Sequence, residues 1–481
     1  MKTKYVPLLS AFILMLGIFL GKNFSHNSVT TSSPTKLHSF NYLVNEIQSN
    51  YVDSLDWNKL EEALIERTLA ELDPHSYYIP QVEITGVKES LNGHFGGIGV
   101  SYRIINDTIT ILSTLDEVPA RLAGLQLGDQ VIGAGGNTIS KTFTNDSLLA
   151  NLKGRVGEAT SVTYKRKKLI KTVDISRAEI PIESINSFFE LNSGHYYIRL
   201  NRFSHRSFKE FLDSLNSIEN DFQNLSIDLR DNGGGSLQNA VDIARLFLSK
   251  GDLITYTEGE NQARVEYKAE LDGPFKHLNL DIWVNENSAS ASEILAGSLQ
   301  YHEKARVIGR NTFGKGLVQQ QFDLPNTGGF RLVVAKYYTP AGICIQRPYK
   351  DVAESEYYNE IDDSISYGIK PNVEIPIDTV SNYTEINKIY TLGFLNKILS
   401  YTIQDQEVLK KYLPKDLLDK RETFFKQLVN EAKLSAWEKD YVSRLIAAEI
   451  GDLIYGNNTA SEMRMMNDRY LEFIKNNDSK H

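Results

Sequence analysis

A predicted strand that ends in three consecutive glycines is the first of three segments whose residues suit chemistry. The run Ile227–Gly235 reads Ile-Asp-Leu-Arg-Asp-Asn-Gly-Gly-Gly. Because glycine has no Cβ, the backbone N–H groups of such a turn can approach a negative charge, as in an oxyanion hole or a phosphate site. A phosphate-binding loop would continue with Gly-Lys-Ser or Gly-Lys-Thr, whereas Ser-Leu-Gln follows here, which disfavours a nucleotide. Taken alone, the turn is more often structural than catalytic.

Three serines at a strand-to-helix junction form the second segment. Trp283–Ile294 begins as a strand, turns through a Ser-Ala-Ser-Ala-Ser run at positions 288–292 and continues as a helix that we expect to begin near Ser292. A serine in such a turn can face a substrate while the helix N-terminus stabilises negative charge beside it. Serine is also a preferred helix N-cap, and Ser292 suits that structural role best. The alternating small residues suit a close approach by a substrate backbone.

A lysine between two glycines marks the third segment, Asn311–Gln319. Lys315 is bracketed by the apolar side chains of Phe313 and Val318, an unusual setting for a lysine that serves solubility alone. Burial disfavours the charged ammonium and lowers a lysine's pKa, so a buried lysine can act as a general base. Gln319, four residues on, is predicted to face the same side and to orient the amine. A solvated surface lysine is the alternative interpretation, and it is the commoner fate of any single lysine.

Together the three segments predict a serine nucleophile, a lysine base and hydrogen-bond donors in a glycine turn. This set of groups is suited to acyl transfer. A Ser–His–Asp triad is less attractive, because the sequence has no Gly-x-Ser-x-Gly turn and the nearest histidine, His302, follows the predicted helix.

Composition excludes several other classes of protein. The 481 residues are 41% hydrophobic and 23% charged, which is typical of a globular chain of about three domains. With 52 basic and 61 acidic residues the net charge is −9, which argues against a nucleic-acid partner. The single cysteine, Cys344, cannot form an internal disulfide, and the nine histidines are scattered. We therefore expect neither a metal nor a cofactor.

The N-terminus predicts export. Two lysines precede the uncharged and strongly apolar stretch Tyr5–Gly21, and Lys22 closes it. Its length is near the lower limit for a membrane-spanning helix, and no Ala-x-Ala cleavage site follows. We expect residues 1–22 to be an anchor in the inner membrane, with a cleaved signal as the alternative, and residues 23–35 to be a polar linker. The remainder is then expected on the periplasmic side of the cell envelope, anchored or secreted into the periplasm.

Four regions follow the linker. Residues 36–84 have a helical apolar pattern, and residues 85–180 have short strands punctuated by glycine. Residues 181–380 alternate strands with helices, the pattern of a layered α/β domain. Residues 381–481 are rich in helix, and their apolar stripes suit either a cap on the core or a homodimer contact.

The glycine-punctuated region resembles a PDZ domain over residues 85–180. The run of Gly96, Gly97, Ile98 and Gly99 leads into a predicted strand, and consecutive glycines can hold a peptide's terminal carboxylate while its strand adds to a sheet edge. Tight turns alone would be the alternative use of such glycines. Three further segments complete the order expected of a PDZ domain: Pro119–Leu125, Leu127–Ile132 and Leu148–Gly154.

The order of motifs in the whole chain resembles the C-terminal processing peptidases, also called tail-specific proteases. The matching segments are Leu72–Ser76, Asp228–Gly235, Ser288–Glu293, Phe313–Gly316, Tyr338–Gly342 and Gly368–Asn372, with the PDZ region in its expected place. The resemblance implies a multidomain α+β fold. In it, a PDZ domain and a ClpP/crotonase-like α/β peptidase core have helical regions at the N- and C-termini.

The resemblance also implies roles for individual residues. Ser290, the middle serine, would be the nucleophile, Lys315 the base, and Gln319 the residue hydrogen-bonded to that lysine. The backbone N–H groups of Ala291 and Gly234 would form the oxyanion hole. Members of the family cut exported proteins after their PDZ domain recognises an exposed C-terminus, so protein or peptide substrates with exposed C-termini are implied.

Other interpretations remain beside this one. Gly233 stands where the family usually has proline, a departure that leaves Ser290 and Lys315 in place. A PDZ adaptor without activity is the main alternative, and it would bind protein C-termini without cutting them. A crotonase-like acyl-CoA enzyme is suggested by the shared fold and disfavoured by the PDZ region and the export segment.

Overall fold

The computed structural model describes residues 38–105, 108–114, 117–139, 145–218, 222–325, 327–349, 357, 366–376, 402–403, 435–465 and 468–477. The chain divides into two compact units, residues 1–64 and residues 65–481. In the first unit the described residues form helix α1 (His38–Asn50) and the start of helix α2 (Trp57–Ala70). The predicted membrane segment and linker lie outside the described residues.

The second unit contains the remaining regular structure. Its further helices are α3 (Gln81–Asn92), α4 (Pro119–Leu122), α5 (Asn145–Leu152), α6 (Ser207–Asn216), α7 (Leu237–Arg245), α8 (Ala291–Tyr301), α9 (Ala436–Tyr455), α10 (Asn457–Met465) and α11 (Arg469–Asn477). Nowhere in the part of the chain that the structure describes does a helix have the length and apolar character needed to cross a membrane.

Nineteen strands are present in the described residues of this unit. They are β1 (Tyr77–Pro80), β2 (His94–Gly97), β3 (Val100–Ile105), β4 (Thr108–Thr114), β5 (Gln130–Ala134), β6 (Asn137–Thr138), β7 (Ala159–Arg166), β8 (Leu169–Ser176), β9 (Ala178–Pro181), β10 (Ile185–Asn192), β11 (His195–Leu200), β12 (Asn224–Asp228), β13 (Leu253–Gly259), β14 (Gln262–Lys268), β15 (Asn279–Val284), β16 (Ala305–Gly309), β17 (Leu317–Leu324), β18 (Gly328–Tyr338) and β19 (Val373–Glu374).

The glycine-punctuated region forms a sheet of its own. Its strand order is β3-β4-β5-β7-β8, with β6 paired to β5. Side chains alternate along a strand, and the inward-facing set packs with α5 into a separate hydrophobic core around Ile111, Leu125, Leu148 and Val162. Strand β3 ends this order, so one of its edges has no neighbouring strand among the described residues. An edge of this kind is the part of a sheet to which a peptide strand can add.

A six-stranded sheet underlies the predicted peptidase region. Its order is β10-β11-β12-β15-β16-β19, in which β10 is antiparallel to β11 and the other neighbours are parallel. Parallel neighbours need crossover connections, and helices α6, α7 and α8 supply buried residues to the core on one face of the sheet. Ile198, Ile227, Ile282 and Leu295 are completely buried there.

The order of this sheet places two of the chemical segments side by side. Strands β12 and β15 are parallel neighbours, and Asp228 pairs with Trp283 near their carboxyl ends. The carboxyl ends of parallel strands meet at one edge of a sheet, where ligands and catalytic groups of α/β proteins gather. The glycine turn after β12 and the serines after β15 therefore share that edge.

The other face of the same sheet is covered by the C-terminal helices. Tyr197 and Trp283 point to this side and pack with Tyr470 and Ile474 of α11. The described part of the helical C-terminal region thus caps the core, one of the two roles that its apolar stripes suggested. A homodimer contact stays a prediction.

Strands β2 and β9 form a two-stranded sheet, and a further antiparallel sheet carries the lysine segment. Its order is β1-β18-β13-β14, with β17 paired to β18. Lys315 lies two residues before the start of β17.

Helix α3 spans the predicted start of the PDZ domain at 84/85, and strand β9 spans its predicted end at 180/181. Each predicted boundary therefore lies within an element of regular structure. The predicted multidomain α+β class is confirmed.

Candidate active site

Burial separates the three serines that follow β15. Ser288 and Ser292 are fully buried, and each hydroxyl donates to a backbone carbonyl in the loop after β12, at 2.8 and 2.9 Å. Ser290 is only partly buried, and it lines a cavity together with the glycine turn at residues 233–235. The outer two serines tie the two loops to each other, which leaves the middle serine as the one placed for chemistry.

The backbone of Ser290 is strained. Its φ of 57° and ψ of −113° lie in a region where the Cβ of an L-residue is crowded. Strain of this kind costs about 1–3 kcal/mol and is found mostly where function requires it. Helix α8 begins at Ala291, so Ser290 holds the N-cap position. The prediction that Ser292 is the N-cap is wrong, because Ser292 lies in the first turn and its hydroxyl is bonded to the neighbouring loop.

A buried carboxylate joins the serine turn to the lysine segment. Glu293 Oε2 accepts the N–H groups of Ser290 at 2.7 Å and of Lys315 at 2.8 Å. Glu293 Oε1 accepts the N–H of Gly314 at 2.7 Å and the hydroxyl of Thr312 at 2.6 Å. Burial raises the pKa of the Glu293 carboxyl, and these four donors oppose that effect. Since one oxygen receives both N–H groups, the distances 2.7 and 2.8 Å limit the separation of the two nitrogens to 5.5 Å.

The amine of Lys315 lies in surroundings that favour its neutral form. Burial, the largest cause, and the positive charge of Arg331 together lower the pKa of Lys315 from 10.5 to about 8. The carboxylates of Glu293 and Asp73 act in the opposite direction. A lysine of pKa 8 is neutral in about one molecule in ten at pH 7, against fewer than about one in a thousand for an ordinary lysine. Lys315 can therefore accept a proton near neutral pH.

A chain of two hydrogen bonds orients that amine. Lys315 Nζ donates to Gln319 Oε1 at 2.7 Å, and Gln319 Nε2 donates to the backbone carbonyl of His75. Because a carbonyl only accepts, the NH₂ end of Gln319 must face His75, which leaves its oxygen for the lysine. Asp73 fixes the turn that presents this carbonyl by accepting the N–H groups of His75 and Ser76, each at 2.8 Å. The lone pair of a neutral Lys315 amine then remains available for another proton donor.

The glycine turn touches the serine turn directly. Gly234 has φ 94°, and a Cβ there would lie 2.6 Å from the carbonyl oxygen of Ala289 and 2.9 Å from the nitrogen of Ala291. Ala291 is the first residue of α8, so its N–H has no acceptor within the helix. The N–H of Gly234 donates to Asn232 Oδ1 at 2.9 Å. The two predicted oxyanion donors, Gly234 and Ala291, therefore lie close together. The N–H of Gly234 is hydrogen-bonded to Asn232 within its own turn.

Ser290, Lys315, Gln319 and the glycine turn at residues 233–235 line one cavity of about 530 Å³, a size typical of ligand sites. Tyr337 lies beside Ser290 and donates its hydroxyl to the backbone carbonyl of that residue at 3.3 Å. The lining residues are Val87, Ser90, Leu91, Gly233, Gly234, Gly235, Ser236, Leu237, Ser290, Ile294, Lys315, Leu317, Val318, Gln319, Gln321, Arg331 and Tyr337. In the described residues, no group of three or more His, Cys, Asp or Glu side chains is placed to hold a metal ion.

The predicted peptide-binding residues lie elsewhere, in the PDZ region. Gly96 and Gly97 belong to β2, which pairs with β9. Ile98 is buried, and its carbonyl accepts the N–H of Ala120 at 2.9 Å. Gly99 has φ 78°, a conformation that favours glycine. The run is packed into the domain and leads into β3, the strand with the open edge, and none of its four residues is among the described lining of the Ser290 cavity.

Three residues of the site were not singled out from the sequence. Glu293 stands three residues after Ser290, and the Ser-x-x-Glu spacing of a capping box is a signal that could have drawn attention to it. His75 contributes a backbone carbonyl, for which no side-chain signal exists. Arg331 reaches the cavity from β18, and its place depends on strand pairing rather than on local sequence.

Two family models match the chain. The model described as PDZ domain covers residues 96–176, and the model described as Peptidase family S41 covers residues 195–375. The second match contains Ser290, Lys315 and Gln319, and the first contains the run that leads into β3.

Curated proteins similar to this chain have related names. The carboxy-terminal-processing protease of Bartonella bacilliformis is 32% identical over 344 residues, which cover 69% of this chain and 78% of that protein. The carboxyl-terminal-processing protease of a Picosynechococcus species is 33% identical over 275 residues, which cover 56% of this chain and 66% of that protein. Among solved structures, the photosystem II D1 C-terminal processing protease is similar with 23% identity and a TM-score of 0.40, covering 70% of this chain and 86% of that one.

Proposed function

Because the chain belongs to the carboxy-terminal-processing proteases of peptidase family S41, we propose that it is a serine endopeptidase with Ser290 as nucleophile and Lys315 as general base. Membership of this family, which the sequence motifs indicated, is confirmed. The observation that carries the assignment of residues is the shared Glu293 oxygen, which holds the backbones of Ser290 and Lys315 at one cavity.

The first half of the reaction acylates the serine. Neutral Lys315 takes the proton from Ser290 Oγ, which attacks the scissile carbonyl carbon. The N–H of Ala291 donates to the resulting oxyanion, and the N–H of Gly234 adds a second bond when it exchanges Asn232 Oδ1 for that oxygen. The N-terminus of α8 adds favourable electrostatic potential at the same place. The protonated Lys315 then gives its proton to the departing amine, and the acyl-enzyme remains.

The second half returns the enzyme to its starting state. Lys315, neutral again, removes a proton from a water molecule, which attacks the ester carbonyl of Ser290. The same donors stabilise the second oxyanion, and the lysine returns its proton to Ser290 Oγ as the ester bond breaks. Gln319 holds the amine in position throughout, since its oxygen accepts from Lys315 while His75 fixes its other end.

We assign substrate capture to the PDZ region. The open edge of β3 and the preceding glycine run at residues 96–99 support binding of an exposed C-terminus as an added strand. The proposed substrates are exported proteins, because the apolar segment at residues 1–22 supports a position anchored at the inner membrane or free in the periplasm. Cell fractionation with and without residues 1–22 tests that location, and light scattering tests the proposed homodimer.

The experiment for the catalytic assignment uses the three serines as their own controls. Ser290→Ala is expected to lower kcat at least about 1,000-fold, because it removes the attacking oxygen. Ser292→Ala removes one buried hydrogen bond and should cost about 1 kcal/mol of stability while activity remains. Ser288→Ala removes two, the bond to the carbonyl of Leu229 and the bond from the N–H of Asn285, and should cost about 1–3 kcal/mol while activity remains. The measurements are cleavage of a protein with an unstructured C-terminus and thermal unfolding of each variant.

Two results would contradict the assignment. Cleavage by Ser290→Ala at the wild-type rate would show that the nucleophile lies elsewhere. A wild-type protein that binds C-terminal peptides and never cuts them would support the PDZ adaptor instead.

A further inference from the structure

The cavity around Ser290 is positively charged. Its described lining contains two cationic side chains, Lys315 and Arg331, and no Asp or Glu. The carboxylate of Glu293 lies behind the wall, where four protein donors use it. Arg331 keeps its positive charge when Lys315 is neutral, and a cavity with such a charge and no Asp or Glu in its described lining favours a ligand that brings a negative group.

Arg331 reaches this cavity from the middle of the antiparallel sheet. It lies on β18, opposite Tyr77 of β1 on one side and Gln321 of β17 on the other. Its guanidinium lies over the Tyr77 ring at 5.8 Å from the centroid, and Gln321 lines the cavity beside it. Pairing on both sides fixes the backbone of Arg331, so its side chain is held at the cavity wall by a rigid element.

The guanidinium of Arg331 has no carboxylate partner within the described parts of the chain. Other arginines of the same unit do have one: Arg166 binds Asp129 at 2.6 Å, and Arg306 binds Asp281 at 2.8 Å. A planar guanidinium binds a carboxylate through two parallel hydrogen bonds, which is the geometry it prefers. The unpaired cation at the cavity wall thus has the chemistry to bind a carboxylate supplied from outside the chain.

We propose that Arg331 binds a carboxylate carried by the leaving segment of the substrate, the part on the C-terminal side of the scissile bond. This inference rests on the proposed function. Lys315 must give its proton to the departing amine, so the leaving segment passes on the side of Lys315. Lys315 lies just before β17, Arg331 lies on β18, the strand paired with β17, and both side chains line the cavity, which puts Arg331 on the same side.

Two sources of this carboxylate share one chemistry. A short leaving segment would bring its terminal α-carboxylate to Arg331, and a longer segment would bring an Asp or Glu side chain. Either group pairs with the guanidinium in a partly dehydrated cavity, where a charge-assisted pair of hydrogen bonds is stronger than in water. Arg331 would then set a preference in the substrate that is separate from capture of the tail by the PDZ region.

The test compares peptides that differ in one charge. The first pair has a leaving segment of two neutral residues ending in a free acid or in an amide. The second pair ends in an amide and carries Asp or Asn as the second residue after the scissile bond. For wild type we expect the charged member of at least one pair to be cleaved with kcat/KM about 10- to 100-fold higher. The pair that responds identifies the source of the carboxylate.

Variants show whether Arg331 causes the preference. In Arg331→Gln the charged and uncharged peptides should be cleaved at rates within about threefold of each other, and Arg331→Lys should keep part of the preference as a point charge. Arg264→Gln is the matched control, because Arg264 is an exposed residue of β14 in the same sheet and lies outside the described cavity lining. It should keep the wild-type ratio.

A pH profile adds a readout that a purely structural role would not change. The charges of Arg331, Glu293 and Asp73 act on Lys315, and His75 is the other titratable group beside it. Losing the positive charge of Arg331 should raise the apparent pKa of kcat/KM, and Arg331→Lys should not. With wild type and the charged peptide, the bound carboxylate should make the apparent pKa of kcat higher than the apparent pKa of kcat/KM. With the uncharged peptide the two apparent pKa values should agree.

The outcomes separate this inference from the proposed function. Equal cleavage of both members of both pairs by wild type overturns the inference, and so does a preference that survives Arg331→Gln, since the PDZ region would then cause it. Hydrolysis that persists in Ser290→Ala refutes the proposed function. The charged and uncharged peptides can still be compared in that case, so the role of Arg331 is tested separately. If wild type cleaves none of them, fluorescence anisotropy with Ser290→Ala and Ser290→Ala/Arg331→Gln measures the same ratios as binding, and equal affinities overturn the inference.

Discussion

The contact between the glycine turn and the serine turn makes Gly234 the sharpest place to disturb the site. A methyl group on Gly234 would lie 2.6 Å from the oxygen of Ala289, 2.8 Å from Cβ of Ser290 and 2.9 Å from the nitrogen of Ala291. Since ordinary contact begins near 3.4 Å, the Ala289 oxygen would have to withdraw by about 0.8 Å (3.4 less 2.6). Two of those atoms belong to Ser290, the proposed nucleophile, and to Ala291, the proposed oxyanion donor, and the Ala289 oxygen is on the peptide group that joins Ala289 to Ser290. Gly234→Ala therefore acts on the reacting groups themselves.

The size of the effect follows from these distances. A displacement of about 1 Å in a reacting group costs about 100-fold in rate, and loss of one oxyanion donor costs about 100- to 1,000-fold. The φ of 94° adds backbone strain of about 1–3 kcal/mol for alanine, which lowers stability or pushes the turn further. We expect kcat of Gly234→Ala to fall at least about 100-fold.

The neighbouring glycine is a matched control. A Cβ on Gly233 would have no described atom within 4 Å, and its φ lies outside the left-handed range. Gly233→Ala should therefore change kcat by about twofold or less, the range of a substitution that meets no neighbour. The kcat of both variants is measured with a fluorogenic peptide. Labelling with a fluorophosphonate tests the reactivity of the proposed serine nucleophile, and thermal unfolding shows that each variant folds. Equal losses in both variants, or near-normal kcat in a folded Gly234→Ala protein, would refute the reasoning.

Three further outcomes follow from charges and burial. Because Lys315 must be neutral and has a pKa of about 8, kcat/KM should rise about tenfold per pH unit below pH 8 and level off above it, whereas a midpoint near 10.5 would contradict its burial. Gln319→Glu puts a carboxylate at the atom 2.7 Å from the ammonium and should move that midpoint up by more than about one unit, while exposed Gln320→Glu should leave it unchanged. Asp468→Ala removes a 2.8 Å bond to partly buried Arg230 and a 2.9 Å bond from the N–H of Tyr470, and should cost about 1–3 kcal/mol in a denaturant titration. An unchanged midpoint would show that α11 docks without help from this carboxylate.

Much of the site was accessible from the sequence because its signals are local. A strand that ends in glycines, and another that ends in small residues before a helix, predict a turn at a sheet edge whatever the rest of the chain does. Lys315 between glycines also gave its own signal, since apolar neighbours on both sides predict burial. The structure places all three segments at one cavity.

What the sequence could not decide depends on contacts between distant segments. Three serines in alternation look alike, and only the carbonyls of another loop distinguish Ser288 and Ser292 from Ser290. The wrong N-cap has the same origin, because the hydroxyl of Ser292 binds across to the neighbouring loop. The hydrogen bond from Gln319 to the carbonyl of His75 joins residues that are 244 positions apart in the chain. It also uses a backbone atom, which any residue type would supply.

The single carboxylate of Glu293 also decides how the site opens in the folded protein. It holds the amide hydrogens of Ser290, Gly314 and Lys315, and none of the three can exchange with deuterated solvent until its bond to Glu293 breaks. The three amides should therefore exchange at one common rate, as members of a single local unfolding unit. Ser290 and Lys315, the proposed nucleophile and base, would then be displaced together and restored together.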